Sequence, residues 1–433
     1  MQDEARQPVQ GRAIMVQYGA RRMYAVPAAL AREGRLEAFY TDFCVTPALR
    51  PLVGLVPRSL GRAASVLARR TPPPEVLPRT RSFPSWTRDM GRALKTHDPM
   101  ERLHALEAAH ERAGRRFLQA GFGNATHVLS IFGEGRGLLE AARDRGLEVV
   151  IDVNIALSTE RILQEETRRH PGWGRAIYFG EMLQTDGKYR RPSDFILDVA
   201  SRLLCPSEFV RDDLVNTYGV PIERTRLVPY SVHDSWFALE NRPEPGRVLF
   251  AGSPDLRKGI HVLAEAARIL EARGRRYQFI VVGSASEAVR SRPETAALTF
   301  LGKLGSAQLR AELARADLFC FPSLAEGSAA TTYEALAASV PLITTRAAGS
   351  VVVDGISGLL VPEGDPAALA DAVERVVEDR EFRNALSKAA RLRAREHDWP
   401  SFQRRLVSAV FSKDRPAMAQ AAVTQARPEG VYA

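Results

Sequence analysis

The chain has 433 residues, 45% of them hydrophobic and 26% charged, a composition typical of soluble globular proteins, and its length suits two lobes of about 200 residues rather than one core. The formal net charge of +9 says nothing about fold but favours a polyanionic partner: nucleic acid, an anionic membrane face or a phosphorylated ligand. Three scattered cysteines, Cys44, Cys205 and Cys320, exclude a disulfide framework and a CxxC zinc pattern, so a reducing compartment is expected. Residues Met1 to Arg12 are polar and of mixed charge, without the apolar stretch of a secretory signal. No apolar run reaches the roughly 18 residues of a spanning helix.

Taken in chain order, short apolar runs alternate with longer amphipathic ones, which predicts βα units and parallel sheets. Ala13–Gln17 reads as the first strand. Residues 51–100 carry nine Lys/Arg against three acids, and within them residues 71–85, with Pro72-Pro73-Pro74, read as an irregular insertion. His127–Phe132 and Glu148–Asp152 read as strands with a helix over Gly137–Arg145 between them. His127, near a strand start, reads as a core histidine. Phe195–Leu204 is largely apolar, and Pro206-Ser207 signals a helix over Glu208–Tyr218. Arg247–Ala251, Gln278–Val282, Asp317–Phe321 and Val340–Thr345 read as buried strands. Gly259–Leu270 places Ile260, Leu263, Ala267 and Leu270 on one helix face. Asp365-Pro366 is an N-cap with proline at N1, ahead of the apolar stripe Leu369, Val373, Val376 and Val377. Asp398-Trp399 opens a last helix, and residues 413–433, rich in Ala, Gln and Pro, read as disordered. The expected architecture is α/β: two doubly wound Rossmann-like lobes, 1–203 and 204–398, then a helix over 399–412.

The segment with the strongest chemical content is Pro322-Ser323-Leu324-Ala325-Glu326-Gly327, with Glu334-Ala335-Leu336-Ala337 after it. It leaves the carboxyl end of the strand Asp317–Phe321, where ligands bind in open α/β sheets. A carboxylate can accept two hydroxyls at once, which suits the grip of a sugar. Glu326 and Glu334 therefore face one crevice, unless they are two ordinary helix-surface carboxylates.

The E-x7-E spacing of Glu326 and Glu334, with the flanking PS-x-x-EG and EALA, resembles the donor site of the family-4 retaining glycosyltransferases of GT-B architecture (glycosyl transferases group 1). The resemblance implies that Glu326 contacts hydroxyls of the transferred sugar, with Gly327 beside it, and that Glu334 holds the nucleotide ribose. Val248-Leu249-Phe250-Ala251-Gly252 followed by Arg257-Lys258-Gly259 is similar to the strand, glycine and Lys-Gly element of that family. A basic pair at a helix N-terminus can clamp a diphosphate, so Gly252, Arg257 and Lys258 are expected at the leaving group. The family often has Arg directly after the glycine, where this chain has Ser253. Val281-Val282-Gly283 ends a strand, and Thr299–Leu304 resembles the base-binding segment, with Lys303 and Leu304 at the base. Val228–Val232 resembles the hinge-side loop. Asp354-Gly355 and Gly358–Val361 match the family pattern, with the glycines read as turn residues.

Before residue 200 the resemblance is weaker. In place of a glycine-rich loop the chain has Gln17-Tyr18-Gly19-Ala20-Arg21-Arg22, where Gly19 lets backbone approach a phosphate and the arginines either add charge or form a solvated face. Many relatives carry a histidine where this chain reads Asp152-Val153-Asn154, so Asp152 or Asn154 is left to orient the sugar.

The resemblance implies retaining transfer of a sugar from a nucleotide-sugar donor to a glycan or lipid-linked acceptor, as in polysaccharide biosynthesis. No DxD-type signature appears, so neither metal nor cofactor is expected. The basic stretch 51–100 interleaves Leu52, Val53, Leu55, Val56, Leu60, Val66 and Leu67 with Arg58, Arg62, Arg69 and Arg70. That pattern suits a cytoplasmic enzyme peripheral on the inner, anionic membrane face, or an ordinary Arg-rich surface. A non-catalytic nucleotide-sugar-binding subunit of a polysaccharide assembly system is the alternative. Nucleic acid is not expected as a partner, since aromatics are only 7% and no recognition motif occurs.

Overall fold

The computed structural model describes residues 11–45, 69–83, 99–173 and 192–412. Two parallel sheets organise them. The first holds β1 (Ala13–Val16), β2 (Leu36–Thr41), β3 (Thr80–Ser82), β4 (His127–Ile131), β5 (Glu148–Asp152), β6 (Arg202–Cys205) and β7 (Thr225–Leu227), in the order β3-β2-β1-β4-β5-β6-β7. The second holds β8 (Arg247–Ala251), β9 (Gln278–Val282), β10 (Leu298–Gly302), β11 (Leu318–Phe321), β12 (Leu342–Thr344) and β13 (Gly358–Leu360), in the order β10-β9-β8-β11-β12-β13. In each sheet the strand order reverses once, between β1 and β4 and between β8 and β11. These switch points are where a doubly wound sheet opens a crevice beyond its strand ends.

The central strands are short and apolar because helices cover both faces. In β1, Ile14 and Val16 join one core with Phe117, Leu139 and Ile151, while Ala13 and Met15 join another with Phe39, Leu129 and Phe402. This is the two-residue period of a strand buried on both sides. The second lobe has one large core around Leu249, Phe319 and Leu342.

The helices that matter for the site are α1 (Ala25–Arg32), α2 (Thr159–Arg169), α3 (Ile260–Ala272), α4 (Ala330–Ala337) and α5 (Trp399–Phe411). Asp398 caps α5 by accepting from the Ser401 amide at 2.8 Å. The helix then lays Phe402, Leu406 and Val410 on the first lobe's core. Arg202 closes its far end, donating to the carbonyls of Ala409 (2.9 Å), Val410 (2.6 Å) and Ser412 (3.0 Å), the acceptors a helix C-terminus leaves open.

Two expectations change. The first lobe does not end near residue 203, because β6 and β7 pair within the first sheet and carry it to Leu227; the link to the second sheet is residues 228–246. Residues 71–85 are not wholly irregular: Thr80–Ser82 adds an edge strand to β2, too short and polar to show a strand period. Residues 51–68, 84–98 and 413–433, which hold most of the basic stretch and the tail, lie outside the described residues. Among the described members of that stretch, Arg70 pairs with Asp42 at 2.6 Å, Arg79 donates to the Leu36 carbonyl, and Arg81 donates to the Ala120 carbonyl at 2.7 Å. Among the described residues no helix is long and apolar enough to cross a membrane.

Candidate active site

The site grows from the loops that leave β8 and β11. The Gly252 amide donates to Val282 O at 2.9 Å and the Gly283 amide to Gly302 O at 2.8 Å, so the exits of β8, β9 and β10 lie side by side. After Gly252 the chain turns through residues 253–259, where the Lys258 amide donates to Asp255 Oδ1 at 3.0 Å. Gly259, with φ of 70°, starts α3, and a Cβ there would lie 1.9 Å from the Pro322 carbonyl oxygen. Only glycine lets the two loops approach this closely. The Arg257 carbonyl then accepts from the Leu324 amide and from Ser323 Oγ, each at 2.8 Å.

This stitching delivers two cations to one carboxylate. Arg257 Nη1 lies 2.5 Å from Glu326 Oε1, Lys258 Nζ pairs with the same oxygen, and Ser323 Oγ lies 3.2 Å from it. Glu326 is only 7% exposed. Burial pulls the Lys258 ammonium below its usual range, and Glu326 opposes that shift. The cluster is a half-compensated positive centre at the mouth of a switch point, which an anionic group would complete.

Glu334 lies on α4, and burial pushes its carboxyl up to about 7 while the Arg310 charge pulls it back. Its neighbour Tyr333 meets Ser328 Oγ at 2.9 Å and stacks on Tyr230 of the inter-sheet link, with centroids 6.5 Å apart. Lys303 is exposed and Leu304 half-buried just past β10.

The first lobe reaches the same place through Asn154. A Cβ at Gly327 would sit 1.8 Å from the Asn154 carbonyl oxygen, and Ser207 Oγ donates to Gly327 O at 2.6 Å. The carboxyl ends of β5 and β11 therefore face each other across a seam. Asp152 is engaged elsewhere: it pairs with Arg22 at 2.9 Å, and Arg22 also donates to Tyr230 Oη at 2.7 Å. Gly19 is engaged too, its amide donating to Asp42 Oδ1 at 2.8 Å. Arg21 pairs with Glu134 at 2.7 Å, so neither arginine is a bare charge on a solvated face. His127 lies 2.7 Å from Thr126 Oγ1 and packs on Phe411, and burial holds its ring near 4.

The structure thus gathers Arg257, Lys258, Glu326, Gly327 and Asn154, and it leaves Asp152 and Gly19 tied to other side chains. The residues that sequence reasoning missed are Ser323, Asp42 and Tyr230. Ser323 stands inside the motif around Glu326 and Tyr230 inside the hinge-side loop, but nothing in the sequence marks Asp42 as the partner of Gly19.

Two Rossmann-ordered sheets with their switch points facing across a seam define the GT-B fold. Residues 245–379, within the second lobe, match the family described as Glycosyl transferases group 1. The chain is 28% identical over 226 residues to a D-inositol 3-phosphate glycosyltransferase of Paenarthrobacter aurescens, covering 47% of this chain and 55% of that protein. It is 31% identical over 184 residues to the capsular polysaccharide biosynthesis glycosyltransferase CapM of Staphylococcus aureus, covering 40% and 47%. The chain spans about half the length of the curated relatives it matches. Among solved structures it superposes on Anabaena HepE in complex with UDP and glucose with a TM-score of 0.57 at 14% identity, over 92% of this chain and 99% of that one. A lipopolysaccharide outer core galactosyltransferase, WaaB, gives 0.58 at 12% identity, over 93% and 100%.

Proposed function

We propose that this protein is a retaining glycosyltransferase that moves a sugar from a nucleotide-sugar donor to a glycan or lipid-linked acceptor. One observation carries the reading: Arg257 and Lys258 converge on Glu326 at the β8–β11 switch point. A donor diphosphate would take the two cations over from Glu326, and the released carboxylate would then accept hydroxyls of the sugar. The family match of the second lobe supports this, as do relatives named as glycosyltransferases. HepE is described with UDP-glucose, which makes UDP-sugars the first donors to try.

In the transfer, the acceptor hydroxyl oxygen bonds to the anomeric carbon on the face from which the phosphate leaves. The bond from that carbon to the phosphate oxygen breaks, and the acceptor's proton passes to the leaving phosphate. Lys258, Arg257 and the N-terminus of α3 stabilise the departing charge without a metal. Glu334 accepts from the ribose hydroxyls. Lys303 and Leu304 lie at the base, and Asn154 orients the sugar from the first lobe. A cytoplasmic enzyme meeting its acceptor at the inner membrane face through the basic stretch 51–100 completes the reading.

A second reading is a non-catalytic nucleotide-sugar-binding subunit. It is favoured by the Gly19 amide and Asp152 being held by Asp42 and Arg22. Purified protein screened against UDP-, GDP- and ADP-sugars, by thermal shift and nucleotide release, separates the two. Turnover that is lost in Glu326→Ala and Lys258→Ala supports the enzyme. Binding without turnover, with acceptors and membranes supplied, supports the subunit. No binding to any nucleotide sugar refutes both.

A further inference from the structure

Away from the carboxylate that gathers Arg257 and Lys258, the two lobes meet at a second cluster. Glu166 of α2 is buried, and its Oε1 lies 2.7 Å from Nε2 of His261 on α3 and 3.3 Å from Nε2 of His170. One donor atom from each residue falls within 4.8 Å of the other two. We propose that Glu166, His170 and His261 form a binding site for a zinc-type divalent transition metal that joins the first lobe to the second.

The backbone fixes two of the three ligands. The His170 amide donates to the Glu166 carbonyl at 2.9 Å, so the helical turn runs on past Arg169 and residues four apart share one face. The third comes from the opposite lobe, one residue into α3, and is only 5% exposed. Trp173 packs edge-on against the His261 ring with centroids 5.8 Å apart, and the two imidazoles lie 4.6 Å apart. His261 Nδ1 is buried without a hydrogen-bond partner, so the Glu166 side alone anchors the ring through a polar contact.

The donor chemistry selects the ion. Two imidazoles and one carboxylate, with no thiolate, are the N/O set taken by zinc and cobalt in sites that keep a fourth position open. Magnesium and calcium require mostly oxygen ligands. Tetrahedral bonds of about 2.0–2.1 Å put ligand atoms a little over 3 Å apart, so His261 has to draw back only slightly from Glu166. Binding at Nε2 displaces the proton that bonds His261 to Glu166, and the ring carries it instead on Nδ1, which has no other hydrogen-bond partner. Arg169 lies 3.7 Å from the second Glu166 oxygen, and Arg292 covers the Trp173 ring at 4.6 Å. These cations oppose a bare dication and favour an anionic fourth ligand such as hydroxide or chloride. An ion here would hold the helix that follows Lys258 against the first lobe, so its role is to restrain the lobes. It takes no part in the transfer, and the proposal does not rest on the transferase reading.

The test is metal binding by the full chain. Protein stripped with a chelator is titrated near neutral pH with Zn²⁺ by calorimetry and with Co²⁺ by visible absorption. The expected result is one ion per chain, with intense Co²⁺ bands of a four-coordinate site. Affinity should fall at least about tenfold in His170→Ala, in His261→Gln and in Glu166→Gln, since loss even of an outer-shell partner costs 10–100-fold. The His170 side chain is 41% exposed, so His170→Ala should unfold at the wild-type temperature without metal and lose the rise that Zn²⁺ gives wild type. Weak substoichiometric binding, octahedral Co²⁺ spectra, an equal response to Mg²⁺, or unchanged affinity in His170→Ala would each overturn the proposal.

Discussion

Glu326 holds two cations through a single oxygen, Oε1, and the site's behaviour follows from that sharing. If Lys258 faces the leaving diphosphate as proposed, Lys258→Ala should lower kcat by about 10²–10³-fold, the usual effect of losing one preorganised donor. Glu326→Ala should lower kcat as far and also destabilise the fold by roughly 1–3 kcal/mol, because it strands two largely buried cations. The double variant should then lose less stability than the two single losses added, as expected of residues in one network. Nucleotide release and urea denaturation read the two effects separately. Glu334 adds a pH dependence. Its carboxyl sits at about 7 when folded, above its unfolded value. Its contribution to stability is therefore full in acid and is lost as pH rises through about 7. On the proposed reading, ribose binding needs the ionised form as a double acceptor, so donor KM should fall as pH rises through about 7. Glu334→Gln should flatten both profiles.

At the scale of elements, the turn between β1 and α1 stands out. Arg22, Met23 and Tyr24 have φ of 48°, 48° and 62°, three consecutive left-handed residues and none of them glycine. Such positions cost of order 1–3 kcal/mol each and persist where surrounding contacts impose them. Arg22 is held by Asp152 and Tyr230, and Tyr24 is buried against Phe39. Met23 is 74% exposed and has little packing to lose, so Met23→Gly should raise stability by about 0.5–1 kcal/mol, read as an increase in Tm. A decrease would mean that the turn is held open by Met23 itself. The same turn shows where sequence reading stops. The second lobe is legible because residues 248–251 and 279–282 are continuous apolar runs buried on both faces, and because Glu326, Lys258 and Gly259 sit in one recognisable frame. In the first lobe, β3 is Thr-Arg-Ser and β7 is Thr-Arg-Leu, too short for a period. The groups that answer Arg22 and Gly19 lie 130 and 23 residues away. Long-range pairing of this kind leaves no local spacing to read.

For the whole molecule, the decisive feature is how close the lobes come. Ser207 bonds Gly327, Asp212 pairs with Arg346 at 2.8 Å, and Glu166 meets His261. The Asn154 carbonyl lies close over Gly327. The obstacle to any larger residue there is backbone on the opposite lobe, 1.8 Å from an added Cβ. A side chain tip could rotate away, but a strand-end carbonyl can yield only if the lobes part. Gly327→Ala should therefore wedge the seam open while leaving Arg257, Lys258 and Glu334 on a second lobe with its core unchanged. Donor binding by that lobe should weaken little, turnover should fall at least about tenfold because a misplacement near 1 Å costs about 10²-fold, and the radius of gyration in solution scattering should increase. Asp212→Ala removes an exposed ion pair at the same seam and serves as the control, since such pairs contribute about 0–1 kcal/mol. Wild-type turnover in Gly327→Ala would mean that transfer proceeds with the lobes further apart than they stand here, and that closure on Asn154 belongs to the resting protein rather than to the reacting one.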